Sequence, residues 1–540
     1  MIVDGKGDVF AWGVKYRKLR GQDYGFFSLD RAKPHAHRPF LALPLMVQCK
    51  HKGYKKSRQA GVSENEVTET LWALDQFPMN VVYTFPSPKQ VEDFSNTRIK
   101  PALEESPYLK TLMGAVQNVT LRKIGKGFLF MRSTTNEKLG EGVDADMVVF
   151  DEIDRMRANV GVAFKESLSA SKWGWIREVS TPSLPNRGID ISWQKSTQQH
   201  WFTKCEACGE WQTMRYPDNI LEIVNVPIYE KIIPPGSYTF CCSKCKSTKI
   251  DRWNGMWVPA YPNRDIQFFA INQLQCSWIS ADEIMQKKRD YKYPQLFWNY
   301  VLGECYAADS QLLTPMILER QIDNMIKIYA ARTTEYSRIS VGIDWGFKNW
   351  CAIFGERKDN GLKQLIGLKV VEDTTEPLGS AKEIANFIKP YKPDIIVPDI
   401  GYGKDRCAYL LQEFPGRVFS CHYLDKSKQI IPKFNETNYT CEVDRTAWLK
   451  GTAHQFREGK VFLPGYFTEP LLHIYVQHLC SLAVLVEEDD EGDIIERVES
   501  TGDDHLAHAT GYALMGFEFQ GQKTEPKARP KGGISTQGTD

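Results

Sequence analysis

MVVFDEID (147–154) decides how this sequence is read: four apolar residues, then two acids. An apolar run of that length reads as a buried strand, which puts its carboxylates at the strand's C-terminal end, where open α/β sheets bind ligands. Working outward, β-branched runs alternate with helix-like stretches: NVVYTF (80–85), a polar amphipathic segment through Leu103, GFLFMRS (127–133) and WIREVSTP (175–182). Short apolar strands separated by helical patterns predict a parallel α/β sheet. A second α/β series begins after about Thr334, with ISVGIDWG (339–346), WCAIFGE (350–356), QLIGLKVVED (364–373), a helix over 381–388 and DIIVPDIG (394–401). No repeat links the two halves. After Gln520 the polar tail, rich in Gly, Pro and Lys, has too few apolar side chains to offset its ordering entropy and is expected to be flexible.

At 540 residues, 42% hydrophobic and 25% charged, the chain is long enough for two to four domains, each with its own core. Its 68 Lys and Arg against 67 Asp and Glu leave a net charge of +1, so any basic surface for nucleic acid must be local. Asp4, Lys6 and Asp8 interrupt the region where a signal peptide would be apolar, and the apolar stretches 40–47 and 479–486 fall well short of the roughly 20 residues of a spanning helix. A soluble, intracellular protein without a membrane partner is expected. Thirteen cysteines, an odd number, suit a reducing compartment with a few gathered at a metal better than a disulfide framework.

In phosphoryl-transfer machines the first acid after such a strand holds Mg²⁺ and the next orients the attacking water, roles that fall here to Asp151 and Glu152. A strand ending in solvated acids is equally common. Ser180-Thr181-Pro182 closes another strand, where a hydroxyl is placed to sense a γ-phosphate. KKSRQAGVSENEV (55–67) has the glycine, the hydroxyl residue and the upstream basic cluster of a phosphate-cradling loop, yet Val62 stands where GxxxxGK[ST] has its lysine. Either this is no ATP site or the charge comes from elsewhere. The preceding CKHKGYKK is a poor strand by composition.

Cys205-x2-Cys208 and Cys242-x2-Cys245 supply four soft thiolates, the pattern of a closed structural Zn²⁺ site, with Cys241 leaving the second knuckle's register open by one residue. Asp344 and Asp399 each end an apolar strand, and Asp503 and Asp504 open the helical stretch DDHLAHATGYALMG. Three carboxylates on separate elements can bind two divalent ions and align a water for in-line attack on a phosphodiester. Singly, each acid suits a strand end or helix start just as well. His505 is given a supporting role at most, and EEDDEGD (487–493) reads as a solvated hairpin tip.

Taken in order, these pieces resemble the large terminase subunit of tailed bacteriophages, in its lambda-like branch with a zinc knuckle insert, over roughly residues 40–518. KSRQAGVS looks like that family's variant Walker A loop, in which a basic residue near the loop's start replaces the usual lysine. The resemblance then implies that Lys56 and Arg58 contact the β- and γ-phosphates, with Gln59 in the same nucleotide-binding set. Gly61 would let the backbone approach, Ser63 would meet Mg²⁺, and STPSLPNRGID, with Thr181, would be the coupling motif. VDRTAWLKGTAHQFREGKVFLPG (443–465) and DDHLAHATGYAL (503–514) resemble the end of the family's RNase H-like nuclease. Where family members often have DHxxDA, His508 occupies the second acidic position, so Asp504, or else Asp503, supplies the third carboxylate.

The implied fold class is α/β. A P-loop ATPase domain (1–334) carries a zinc-ribbon insert (about 203–250) and a lid region (251–334), followed by an RNase H-like nuclease (335–520) and a tail (521–540). The implied function is a DNA-packaging motor that translocates double-stranded DNA into a procapsid and cuts the concatemer. ATP, Mg²⁺ (or Mn²⁺ at the nuclease) and Zn²⁺ are its cofactors. A small terminase subunit, the portal protein and a homo-oligomeric ring are its partners, in the host cytoplasm. The alternatives are a helicase-nuclease of repair or restriction type, and a zinc-ribbon DNA-binding scaffold with a decayed nucleotide site.

Overall fold

The computed structural model describes residues 7–23, 39–135, 142–156, 160–227, 230–306, 310–328, 331–373, 376, 378–425, 427, 429–465, 471–489 and 492–520. The expected flexible tail, 521–540, lies outside them. The chain forms two compact units, Met1–Ser310 with Leu485–Glu496, and Gln311–Val484 with Arg497–Asp540. Residues 311–334, expected in the lid, group with the second unit. Among the described residues no helix is long and apolar enough to cross a membrane.

The first unit is built on a parallel sheet of β1 (His51–Lys56), β2 (Val81–Phe85), β3 (Gly127–Ser133), β4 (Met147–Asp151), β5 (Trp175–Ser180), β6 (Gln199–Cys205) and β7 (Gln267–Ile271). Their spatial order is β6–β7–β1–β5–β4–β2–β3, and each neighbouring pair is parallel. Leu121–Ile124 and Met113–Gln117 extend the sheet antiparallel beyond β3, while Trp211–Thr213 and Ile250–Pro259 pair antiparallel with β6. β2 and β4 are buried along their whole length, as their continuous apolar runs require of strands covered on both faces.

β1 lies between β7 and β5 although its sequence, HKGYKK, reads poorly as a strand. Ion pairs overcome its composition. Fully buried Lys52 reaches Glu69 at 2.8 Å, and Glu69 also takes Arg177 of β5 at 2.8 Å. Gly53 is a glycine for want of room, since a Cβ there would stand 2.3 Å from the ring of Phe268, its partner on β7. α1 (Val62–Gln76) follows, polar in sequence yet buried over most of its length, with Glu64 paired to Arg17 and Arg98 at 2.7 Å each.

In the second unit, β8 (Tyr336–Asp344), β9 (Lys348–Arg357) and β10 (Lys363–Glu372) are long antiparallel neighbours, and β11 (Ile395–Pro398) runs parallel to β8. Val461–Phe462 closes the far edge beside β10. Three antiparallel strands followed by a parallel one match the RNase H-like expectation. α2 (His505–Gly516) packs so tightly on β8 that a Cβ at Gly342 would lie 1.9 Å from the Ala509 carbonyl oxygen. The stretch around 487–493 does form a hairpin, with Leu482–Glu488 and Ile494–Ser500 pairing, while residues 490 and 491 lie outside the described set.

Candidate functional site: a cation-lined cleft, a thiolate cluster and an acidic strand end

The loop 57–61 joins β1 to α1. Its backbone is pinned from outside: Ser57 N donates to Ile271 O (2.7 Å), Arg58 N to Tyr300 O (2.8 Å), and Gln273 Nε2 to Arg58 O (3.0 Å). Gly61 caps the helix at φ 91°, a conformation open to glycine at little cost. Of the first-turn N–H groups of α1, Glu64 N already donates to Gly61 O at 3.2 Å, the groups before it lie ahead of the first intrahelical acceptors, and residues 61–63 line a cleft of about 770 Å³. Such a helix start favours anions. Arg20, Lys56, Arg58, Arg98 and Arg155 line the same cleft against only two acids, Glu64 and Glu152.

Lys56 Nζ sits 2.9 Å from Glu152 Oε1 and donates to Thr181 Oγ1 at 3.4 Å, so residues from three separate strand ends meet at one ammonium. Glu152 adopts φ 62°, and its N–H donates to Val179 O (2.7 Å). Burial alone would raise its carboxyl, but Lys56 and then Arg58 hold it below the ordinary range, hence ionised. Asp151 stands behind it, 3% exposed, accepting from Tyr83 Oη at 3.0 Å; burial, reinforced by Glu152, pushes it up to about 6. Val62 is 1% exposed and packs in the apolar cluster with Tyr54 and Val179. Arg58 stacks on the Tyr300 ring at 3.4 Å and pairs with Glu488 at 2.6 Å. The acidic run is therefore a hairpin but not a wholly solvated one.

The four knuckle cysteines converge, with Cys205 to Cys245 and Cys208 to Cys242 both 3.8 Å between sulfurs. Tetrahedral thiolates at about 2.3 Å from one zinc stand about 3.8 Å apart, so the donor set fits that ion. Cys241 points away, toward Asp218 O, and the register falls on Cys242. Gln212 Nε2 donates to Cys242 Sγ at 3.1 Å while its Oε1 accepts from Ser243 N at 2.8 Å. Among the described residues this is the one group of three or more His, Cys, Asp or Glu with all ligand atoms within 4.8 Å.

In the second unit, Ile343 and Pro398 are register partners, which sets Asp344 and Asp399 at the same end of adjacent parallel strands. Asp399 is pushed up by burial and then by Asp344, the mark of two carboxylates sharing a site. His505 Nδ1 lies 2.8 Å from Asp344 Oδ2 and its ring stacks on Trp350, so the supporting residue touches the acid it was to support. Asp503 is exposed, whereas Asp504 lies 3.1 Å from His508 Nε2, which Arg445 also approaches at 3.4 Å. Burial opposes ionisation of Asp504, but His508 overcomes it. The three carboxylates do not form a closed cage of the kind the cysteines do.

Residues 46–258 match the family model described as phage terminase large subunit gpA, ATPase domain. This part of the chain is similar to the ATPase domain of phage large terminases. The large terminase of bacteriophage HK97 is similar in structure over 94% of this chain and 98% of its own, at 11% identity and a TM-score of 0.51, a likeness of fold. The large terminase of a thermophilic bacteriophage in complex with ADP (11% identity, 90% and 95% covered, TM-score 0.31) and the ATPase domain of Thermus phage P74-26 (16%, 53% and 99%, 0.34) are more distant. No curated protein sequence matches.

Sequence reasoning missed a residue inside the acidic motif MVVFDEID itself. Asp154 is 3% exposed and accepts from Ser183 N (2.8 Å), Ser183 Oγ (2.7 Å) and Ile189 N (2.9 Å), fixing the segment after Thr181 to the end of β4. Gly188 makes room for it, since a Cβ there would stand 2.5 Å from the carboxyl carbon. The signal in sequence was an acid three residues past Asp151 with no solvent-facing reason to be there. Gln212, Tyr300 and Glu488 carried no such signal, because their partners are distant in the chain.

Proposed function

We propose that the chain is the ATP-driven motor of viral DNA packaging, of the zinc-knuckle, lambda-like kind, with a metal-dependent endonuclease in its second unit. The observation that carries the motor reading is Lys56, held between Glu152 and Thr181 beside a glycine-started helix in a cation-lined cleft. ATP lies with its phosphates on the first turn of α1. Lys56, beside the water-orienting acid, suits the terminal phosphate, and Arg58, farther out on Tyr300, the rest of the chain; this reverses the division expected from sequence. Ionised Glu152 accepts a hydrogen bond from a water and aims it at the γ-phosphorus. The water oxygen bonds to phosphorus as the bond to the β–γ bridging oxygen breaks, giving ADP and phosphate. Ser63 and Asp151 would hold Mg²⁺, which supplies charge neutralisation on the phosphate oxygens. Gln59 and Thr181 complete the nucleotide contacts.

For the nuclease, Asp344, Asp399 and Asp504, with Asp503 as the alternative third ligand, would hold Mg²⁺ or Mn²⁺, which supplies an activated water and stabilises the leaving oxygen. His505 orients Asp344. Cys205, Cys208, Cys242 and Cys245 would hold a structural Zn²⁺. Double-stranded DNA, a small terminase subunit, the portal protein and a ring of further copies are the partners this reading assigns, in the host cytoplasm. Purified full-length protein should hydrolyse ATP faster when double-stranded DNA is added. No turnover with or without DNA would return the chain to the scaffold reading.

A further inference from the structure

Two large aromatic side chains stand open to solvent next to the acid pair of the second unit: Phe347 is 95% exposed and Tyr402 is 79% exposed. Each follows a site carboxylate by three residues, Phe347 in the turn from β8 into β9 and Tyr402 in the loop leaving β11. Because β8 and β11 are adjacent and parallel, both turns leave the same end of the sheet.

This exposure is built in, because the backbones beneath the two rings are tightly held. Gly403 approaches buried Trp345 so closely that a Cβ would lie 1.9 Å from its Cδ1, which locks one loop onto the other. Phe347 O accepts from Asp373 N at 3.1 Å. Arg406 is tied to Asn349 Oδ1 (3.1 Å) and Asp373 Oδ2 (2.8 Å). A cleft of about 710 Å³ opens beside Tyr402, lined also by Lys404, Arg406, Tyr409 and Gln412. Exposed Lys404 has no ion-pair partner among the described residues.

We propose that Phe347 and Tyr402 form a stacking platform for an unpaired nucleobase beside the phosphodiester to be cut, with Lys404 on the neighbouring phosphate. Every base has a π-face, so stacking on aromatic side chains holds a strand without reading its sequence, and a nearby cation follows the backbone. A base paired in a duplex cannot offer that face, so the substrate strand must be locally opened. The site therefore takes single-stranded or opened DNA in preference to intact duplex. This deepens the nuclease reading and rests on it.

The test uses the full-length chain and a single-stranded oligonucleotide carrying 2-aminopurine, without added Mg²⁺ or Mn²⁺. Wild-type protein should quench the fluorescence. Phe347→Ala and Tyr402→Ala should each weaken binding by about 10-fold or more, and Phe347→Trp and Tyr402→Phe should preserve it. With Mn²⁺ added, a plasmid containing an unpaired bubble should be cut faster than the intact plasmid, an advantage the double alanine variant loses while its ATP turnover is unchanged. If wild-type protein cuts neither plasmid, the nuclease reading fails, and the oligonucleotide binding still judges the platform. If it cuts but the double variant binds and cuts like wild type, the platform is overturned and the nuclease reading stands.

Discussion

Position 62 and position 56 have exchanged the roles that the usual loop pattern gives them. Val62 lies in the apolar cluster with Phe40, Tyr54 and Val179, so a lysine there would bury its ammonium among hydrocarbon. Lys56, at the end of β1, already reaches Glu152. Removing a preorganised cation from such a site costs on the order of 10²- to 10³-fold in rate. Lys56→Ala should therefore lose that much ATP turnover, as should Glu152→Gln through its water contact. Val62→Ala should keep turnover within a few-fold while losing roughly 1–2 kcal/mol of stability through the cavity it leaves. Steady-state ATPase rates beside denaturant melts separate the two effects. Wild-type turnover in Lys56→Ala would move the nucleotide elsewhere.

At the scale of elements, two packings carry the sites. α2 lies on β8 with no space at Gly342, so Gly342→Ala must push the helix from the strand that ends in Asp344. Overpacking of this kind costs roughly 1–3 kcal/mol, and a lowered melting temperature together with weakened plasmid cutting is expected. The four cysteine sulfurs converge from the end of β6 and from the turns that follow it and Tyr238–Phe240, so a metal there would tie the two knuckles together. About one Zn²⁺ per chain is expected by metal analysis, lost together with solubility in Cys205→Ser or Cys245→Ser. Folded protein without zinc would remove that site.

For the whole molecule, buried acids shape the response to pH in two opposite limbs. Glu66 is fully buried, both its carboxyl oxygens accept no hydrogen bond among the described residues, and burial followed by Glu69 pushes it up to about 8. A raised carboxyl costs stability where the unfolded chain ionises and the folded one does not, so stability should rise as pH falls from about 8 toward 4.5. Glu178 has the other sign: burial opposes its ionisation, but His51 at 3.3 Å and Lys165 at 2.8 Å hold it at about 2. Its contribution is present above 4.5 and is lost as pH falls from there to about 2. Melts of metal- and nucleotide-free protein should show both limbs, with Glu66→Gln flattening the upper and Glu178→Gln the lower. The two chemistries should also separate: Asp344→Ala should abolish metal-dependent plasmid cutting and leave ATP turnover largely intact.

By itself the sequence determined the parallel sheet around MVVFD, the acids at its end, the two CxxC pairs and the second α/β series, because apolar runs and close-spaced ligands are local patterns. The expectation of separate strands bearing Asp344 and Asp399 holds for the same reason. HKGYKK as a strand beside the loop, the burial of α1 and the choice of Cys242 over Cys241 were decided only by tertiary structure. Each depends on partners remote in the chain: Glu69 and Arg177 for Lys52, Glu304 for Lys55, Asp218 for Cys241. A buried lysine is read from composition as a surface residue, and only the fold brings up the carboxylate that offsets the cost of its burial.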